Sequence, residues 1–389
     1  MPVSVYLLGL TIFALGTSEF MVAGMMPSLA QALDVSLPQV GHLISIYAAG
    51  MVVGGPVLTA ILLAWHVPNK LALLGLMAVY AAAQSMAAMA HTQGLMAGAR
   101  LVTGIVAAAC FGAALALCAD MVAPQQRGRA AAAVLGGLML AAVLGVPLAT
   151  LIDQHWGWRT SFWLVVVLVV VCAASVAIWV PASRSTPHGG LGQELQEFRN
   201  PHLWMAYLTS ALIIGSAFAA FSYFAVILTG LSGWPAAAVP WLLATYGVAN
   251  MVGNIVVGRH ADRHTHAVLA IGLTVLMAAL ALFAWQAECA ALSVVMVVVT
   301  GLTGVTLNPA MAARVMRVAR PGPLVNTMHA SVINIGLGVG TWLGGEAIDK
   351  GYGLRSPLWI GAALAALGLA SLLPYASRGR RAQAMACRG

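Results

Sequence analysis

The chain has 389 residues, of which 61% are hydrophobic and 7% charged, with a mean hydropathy of +0.93. So few charges cannot cover the surface of a water-soluble protein of this length. A soluble enzyme and a nucleic-acid-binding module are therefore excluded, despite a net charge of +8. What remains is an all-α membrane protein.

Twelve apolar stretches follow one another at 4–25, 39–62, 70–90, 95–121, 128–151, 160–181, 203–229, 237–258, 266–286, 289–313, 325–346 and 356–376. Each is long enough for a helix to cross a hydrocarbon core of ~30 Å. The first has no basic n-region and no cleavage site, so it is read as a retained span. From Tyr6 to Gly24 its only formally charged residue is Glu19. A carboxylate there costs on the order of 3 kcal/mol on insertion scales. A buried partner, a water-filled cavity or a proton has to offset that cost, and each points to transport. Span two carries Tyr47 and span four carries Arg100, with Asp120 at its end. Span five contains Gly136, Gly137, Gly145 and Pro147; small residues let helices approach and proline bends them.

The polar stretch 182–202 separates six spans from six. This divides the chain into an N-terminal half 1–181, a linker 182–202, a C-terminal half 203–376 and a tail 377–389. The halves repeat each other. Ile152, Asp153, Gly157, Arg159 and Trp163 recur 196 positions later as Ile348, Asp349, Gly353, Arg355 and Trp359, and Tyr47 and Gly54 recur 199 positions later as Tyr246 and Gly253. Two parallel halves facing each other across a central site are one way to build an alternating-access carrier.

With the N-terminus placed in the cytoplasm, 14 of the 18 Lys and Arg residues fall in inner loops and the tail. Three (Arg159, Lys350, Arg355) fall outside and Arg100 lies within a span. The positive-inside rule then puts both termini in the cytoplasm. The basic surplus reflects topology and attraction to anionic lipid, not nucleic acid. The five cysteines are read as packing residues plus a tail thiol, Cys387. His260, His264 and His266 have no acidic or Cys scaffold at zinc spacing, so no metal and no cofactor is expected. There is no H-E-x-x-H and no G-x-S-x-G, which argues against catalysis. A lone glutamate and arginine make a poor selectivity ring for a channel.

Several motifs together resemble the major facilitator superfamily over essentially the full length. After span eight, Gly258-Arg259-His260-Ala261-Asp262-Arg263 resembles its G-x-x-x-D-R turn; the matching stretch after span two, Thr59 to Ala64, lacks Gly, Asp and Arg. Arg100-Leu101-Val102-Thr103-Gly104 resembles its R-x-x-x-G element, and the span-five glycines with Pro147 resemble its exporter motif. The run Gly16-Thr17-Ser18-Glu19-Phe20, followed by Pro27, resembles drug:proton antiporters, a group with both chloramphenicol-resistance and sugar-efflux exporters.

The resemblance implies a twelve-helix fold in two six-helix halves. It also implies a monomer in the bacterial plasma (inner) membrane, with a small-molecule substrate, membrane lipid and protons as partners. The expected activity is proton-coupled efflux of a small neutral amphipathic compound such as chloramphenicol, or alternatively of a sugar or nucleoside. Glu19 lies roughly 22 Å from the inner edge and Arg100 about 21 Å, so proton coupling is expected to involve this pair, directly or through water. Burial favours the neutral acid and a nearby arginine the carboxylate, so a site moving between these environments can trade protons. A static ion pair is the structural alternative. Tyr47, Phe221, Tyr223, Asn250, Asn254, Asn308, His329 and Asn334 are the substrate-contact candidates, giving an apolar wall with a few hydrogen-bonding groups. Asp120, Arg127, Gly258, Asp262 and Arg263 are expected at an inner gate, where Asp120 also serves as a helix-end anchor. Gly137, Gly145 and Pro147 are expected to set helix packing in the exporter motif.

Overall fold

The computed structural model describes residues 2–65, 67–123, 126–181, 196–319 and 323–373. Every span is a helix because its residues are apolar all round and its backbone groups have no other partner inside a membrane. The first six are α1 (Val3–Gly24), α2 (Leu37–Ala64), α3 (Asn69–Ala88), α4 (Gln93–Asp120), α5 (127–156) and α6 (Trp158–Trp179). The second six are α7 (Pro201–Gly230), α8 (Ala236–Ala261), α9 (Arg263–Trp285), α10 (Ala290–Val318), α11 (Pro323–Ala347) and α12 (Ser356–Ala370). Ten helices meet the length and hydropathy expected of a membrane crossing among the described residues, and α11 and α12 complete the twelve. Apolar side chains such as Val53, Val57, Val167 and Ile271 face outward, while Trp65, Trp156, Trp179, Trp241 and Trp285 are exposed near helix ends, as in the aromatic belts of membrane proteins.

The internal repeat is visible in the backbone. Gly157, between α5 and α6, has φ 83° and ψ 156°; its counterpart Gly353, between α11 and α12, has φ 77° and ψ 176°. Only glycine adopts that region without strain. Two residues after each glycine an arginine ties the next helix back to its half. Arg159 donates to the carbonyl of Ala90 at the end of α3 (2.9 Å), and Arg355 pairs with Glu288 at the end of α9 (2.5 Å).

The helix crossings repeat as well. A side chain on Gly104 of α4 would strike the carbonyl of Tyr47 on α2, and one on Gly301 of α10 would strike that of Tyr246 on α8. A side chain on Gly54 would meet the backbone of Ile105; one on Gly253 would meet that of Leu302.

Several helices are interrupted. α1 breaks at Met25 (φ −107°, ψ 13°) and resumes as a short helix, Met26–Leu33, with Pro27 in its first turn. α7 breaks between Phe221 and Phe224, and α10 breaks at Gly304, with Pro309 just inside the next segment. α5 widens into a π-helical turn at Ala141–Gly145. Gly145 and Pro147 thus sit at an irregularity of a type that recurs at functional sites. Gly258 does not end its helix, as the sequence suggested. It lies in a continuous helical stretch with open space around it, and the backbone leaves helical geometry at His264 (φ −129°, ψ 40°), the second residue of α9. The side chain of Asp262 and residues 182–195, most of the expected linker, lie outside the described residues.

Candidate functional site

Two of the interrupted helices, α1 and α7, meet at the seam between the halves. A narrow pocket lies there, lined from the N-terminal six helices by Glu19, Phe20, Ala23, Ile44 and Tyr47 and from the C-terminal six by Phe218, Phe221, Ser222 and Leu337. Glu19 is its one formally charged residue and is buried. Rings dominate the opposite wall. Phe20 packs on Phe218 across the seam with centroids 5.8 Å apart, and Phe221 stacks on Tyr246 at 4.7 Å. In this state the walls meet so closely that the pocket has no room for a water molecule.

Beside Glu19 on the N-terminal side lies a buried polar cluster. Arg100 is wholly buried, donating from Nη1 to the Ser18 carbonyl (2.8 Å) and from Nη2 to the Glu19 carbonyl (3.3 Å). Its guanidinium carbon sits 4.2 Å from the Tyr47 ring centroid, a cation–π contact. The two charged residues share one level, as the depth argument required. The pairing itself is made through backbone. The ion pairs among the described residues are His42–Glu346, Lys350–Glu346 and Arg355–Glu288, and the Glu19 carboxylate is in none of them. Ser18 Oγ donates to Gln84 Oε1 on α3 (3.0 Å), and Tyr80, one turn before Gln84, lies beside Ser18 and Tyr47.

Of the expected substrate contacts, the structure brings Tyr47 and Phe221 into the pocket and places six elsewhere. Tyr223 adjoins it in the chain but spends its hydroxyl on the Thr341 carbonyl (3.0 Å), tying α7 to α11. His329 stacks on Tyr207 and bonds Ser210 Oγ (2.9 Å), and Asn334 donates to Ala330 of its own helix (3.0 Å). Asn250 is buried beside Tyr246; Asn254 and Asn308 are half-buried on α8 and α10. Phe20, Phe218, Ser222, Tyr80 and Gln84 were not anticipated. Tyr80 and Gln84 carried a signal, since polar side chains four residues apart share one face of a helix.

At the end where Val3 and Asp120 lie, called here the linker end, Asn69 Nδ2 donates to Asp120 Oδ2 (3.3 Å) and Arg127 Nε donates to the Ala119 carbonyl (3.1 Å). Both residues thus secure the end of α4. Arg263 is exposed at the start of α9. The halves are bonded to each other towards the far end. Ser45 Oγ donates to the Gly338 carbonyl (2.9 Å), Gln154 to the Ala236 carbonyl (2.6 Å), and His42 faces Glu346 at 3.9 Å. In α5, a side chain on Gly137 would strike the backbone of Gly9, and one on Gly145 would strike Thr17; Pro147 is buried just beyond.

Comparison with known proteins agrees with this architecture. The family model of the major facilitator superfamily matches residues 8–322 and 227–386. The chain is 32% identical over 380 residues to the chloramphenicol resistance protein of Streptomyces lividans, covering 96% of each. It is also 32% identical over 380 residues to the inner membrane transport protein YdhP of Escherichia coli K12, covering 97% of each. Its fold matches the crystal structure of a bacterial homologue of the human lysosomal transporter Spinster, in an inward-facing and occupied conformation. The TM-score is 0.72 at 16% identity, over 96% of each chain. Two parallel six-helix halves, a pocket on their seam and a family match along the chain make this protein a member of the major facilitator superfamily, and hence a transporter rather than an enzyme.

Proposed function

We propose that this transporter is a proton-coupled exporter of small neutral amphipathic compounds, with chloramphenicol as the leading candidate. One observation carries the reading: the titratable Glu19 lines the pocket between the halves, where both a ligand and a proton can reach it once the walls part. The rings of Phe20, Phe218 and Phe221 offer a ligand apolar surface; Tyr47 and Ser222 offer hydroxyls. The similarity to a chloramphenicol resistance protein points the same way. The carrier works as a monomer in the bacterial plasma membrane with both termini cytoplasmic. In that orientation the far end faces outward, so the bonds from Ser45 and Gln154, with His42 facing Glu346, close the external side. Asp120, Arg127, Asp262 and Arg263 would then serve at the cytoplasmic side, where opening must occur.

Expression in a host lacking its own exporters should raise tolerance to chloramphenicol, and a protonophore should remove the effect. Unchanged tolerance together with protonophore-sensitive efflux of a sugar or nucleoside would replace the drug by that substrate class.

Arg100 gives a further expectation. Arg100→Ala removes the charge, the cation–π contact and three bonds to α1, whereas Arg100→Lys keeps the charge but not the planar fork. Export should therefore fall in the order wild type, Lys, Ala, with the Ala variant near background in a proteoliposome assay. Equal activity of all three would remove Arg100 from the mechanism.

A further inference from the structure

A set of buried donors beside Glu19 has no acceptor. Gln84 Nε2 and Arg100 Nε lack a hydrogen-bond partner, as does one acceptor, Glu19 Oε2, and the Tyr47 and Tyr80 hydroxyls make no well-formed bond and have each other and Ser18 in reach. All five residues are buried, with Tyr80, Gln84 and Arg100 wholly so. They form one neighbourhood. Arg100 lies over Tyr47, Tyr80 lies beside Ser18 and Tyr47, and Ser18 joins Gln84 to Arg100. Ser18 Oγ accepts from Arg100 Nη1 (3.5 Å) and donates to Gln84 Oε1 (3.0 Å), and in this amide orientation the Gln84 NH2 group has nothing to bond. Leaving buried donors unmade is unfavourable, and a cluster of them built on the residue next to a carboxylate is a poor arrangement for packing alone. They are a good arrangement for holding an anion.

We propose that Tyr47, Tyr80, Gln84 and Arg100 form a preformed receptor for the ionised Glu19 carboxylate, and that this side chain alternates between the receptor and the pocket. This inference rests on the reading of Glu19 as the coupling group and adds two positioning residues on α3, Tyr80 and Gln84. In the present state Glu19 lines the pocket. After its proton leaves to water through an opened pocket, the carboxylate turns into the N-terminal half and takes up the waiting donors. That movement clears the negative charge from the ligand site. Arg100 is the one charged group acting on Glu19 among the described residues. The Tyr47 phenol also lies against it, with Tyr80 next to Tyr47, and the facing residues Phe218, Phe221, Ser222 and Leu337 do not ionise.

The test needs no substrate. Infrared difference spectra of the purified protein in phosphatidylethanolamine–phosphatidylglycerol vesicles, recorded across pH, contain a carboxylic-acid band for Glu19, assigned by its loss in Glu19→Gln. Removing a donor to the anion should raise the midpoint of that band by about one pH unit in Tyr80→Phe and again in Gln84→Leu. Tyr223→Phe, which loses a hydroxyl bonded to Thr341 in the other half, should leave it in place. Tyr80→Phe deletes one oxygen and keeps the ring, so it serves even if Gln84→Leu fails to fold. An unmoved midpoint in Tyr80→Phe, or a Glu19 band that never titrates, would overturn the receptor. If instead Glu19→Gln exports at the wild-type rate while the band shifts as stated, the receptor stands and the coupling role fails.

Discussion

Replacing Glu19 with Gln stops uphill export and leaves the fold intact. The substitution keeps the shape of the side chain and removes the one carboxylate in the pocket. It also removes a carboxylate from a buried position, where ionisation opposes folding, so the melting temperature should equal or exceed that of the wild type. Ligand binding to the apolar and aromatic walls should persist, as should exchange of labelled for unlabelled ligand across the membrane with no gradient. Accumulation driven by an imposed pH gradient should drop to the level of empty vesicles. Gradient-driven accumulation at the wild-type rate by Glu19→Gln would assign coupling to another residue.

The second large effect belongs to α5. A side chain on Gly137 would strike the carbonyl oxygen of Gly9 and approach the Phe13 amide nitrogen at 2.9 Å, so only movement of whole helices can relieve the clash. On Gly145 the clash is with Thr17, whose hydroxyl is held by the Phe13 carbonyl (2.8 Å). Neighbouring Gly136 meets nothing within 4 Å. Gly137→Ala and Gly145→Val should therefore sharply slow export, and Gly136→Ala should not. Overpacking costs about 1–3 kcal/mol. If one conformation bears that misfit and the other escapes it, the balance between them moves by about 5- to 150-fold. Turnover normalised to protein level reads this directly. Normal turnover in Gly145→Val would make the α5 glycines incidental to transport.

The span count, the two halves and the level shared by Glu19 and Arg100 were legible in the sequence, because each follows from hydropathy or from a fixed rise per residue. The pocket wall was legible only in part. Tyr47 and Phe221 were picked out as polar or aromatic residues in cavity-lining spans, but so were His329 and Asn334, which hydrogen-bond within their own half. A hydrogen-bonding side chain has the same appearance in a sequence whether it faces a ligand or a neighbouring helix. Gly258 misled for a related reason. Glycine permits a chain reversal without causing one, and the backbone leaves helical geometry six residues later, at His264. Tyr80 and Gln84 went unread because their partner, Ser18, lies on another helix.

The solitary charge in the pocket also has an electrical consequence. Arg100 is buried in its half, and Glu19, the one carboxylate lining the pocket, is the group proposed to carry the proton. A neutral molecule leaving as one proton enters would therefore move one elementary charge inward per cycle. Membrane voltage alone would then drive accumulation, at about 2.3 kcal/mol for each 100 mV, or a concentration ratio of roughly fiftyfold. A potassium diffusion potential with equal pH on both sides should start export of a neutral compound. A zwitterion or a neutral molecule should feel that voltage equally, and a monovalent cation exchanged for one proton should not feel it at all.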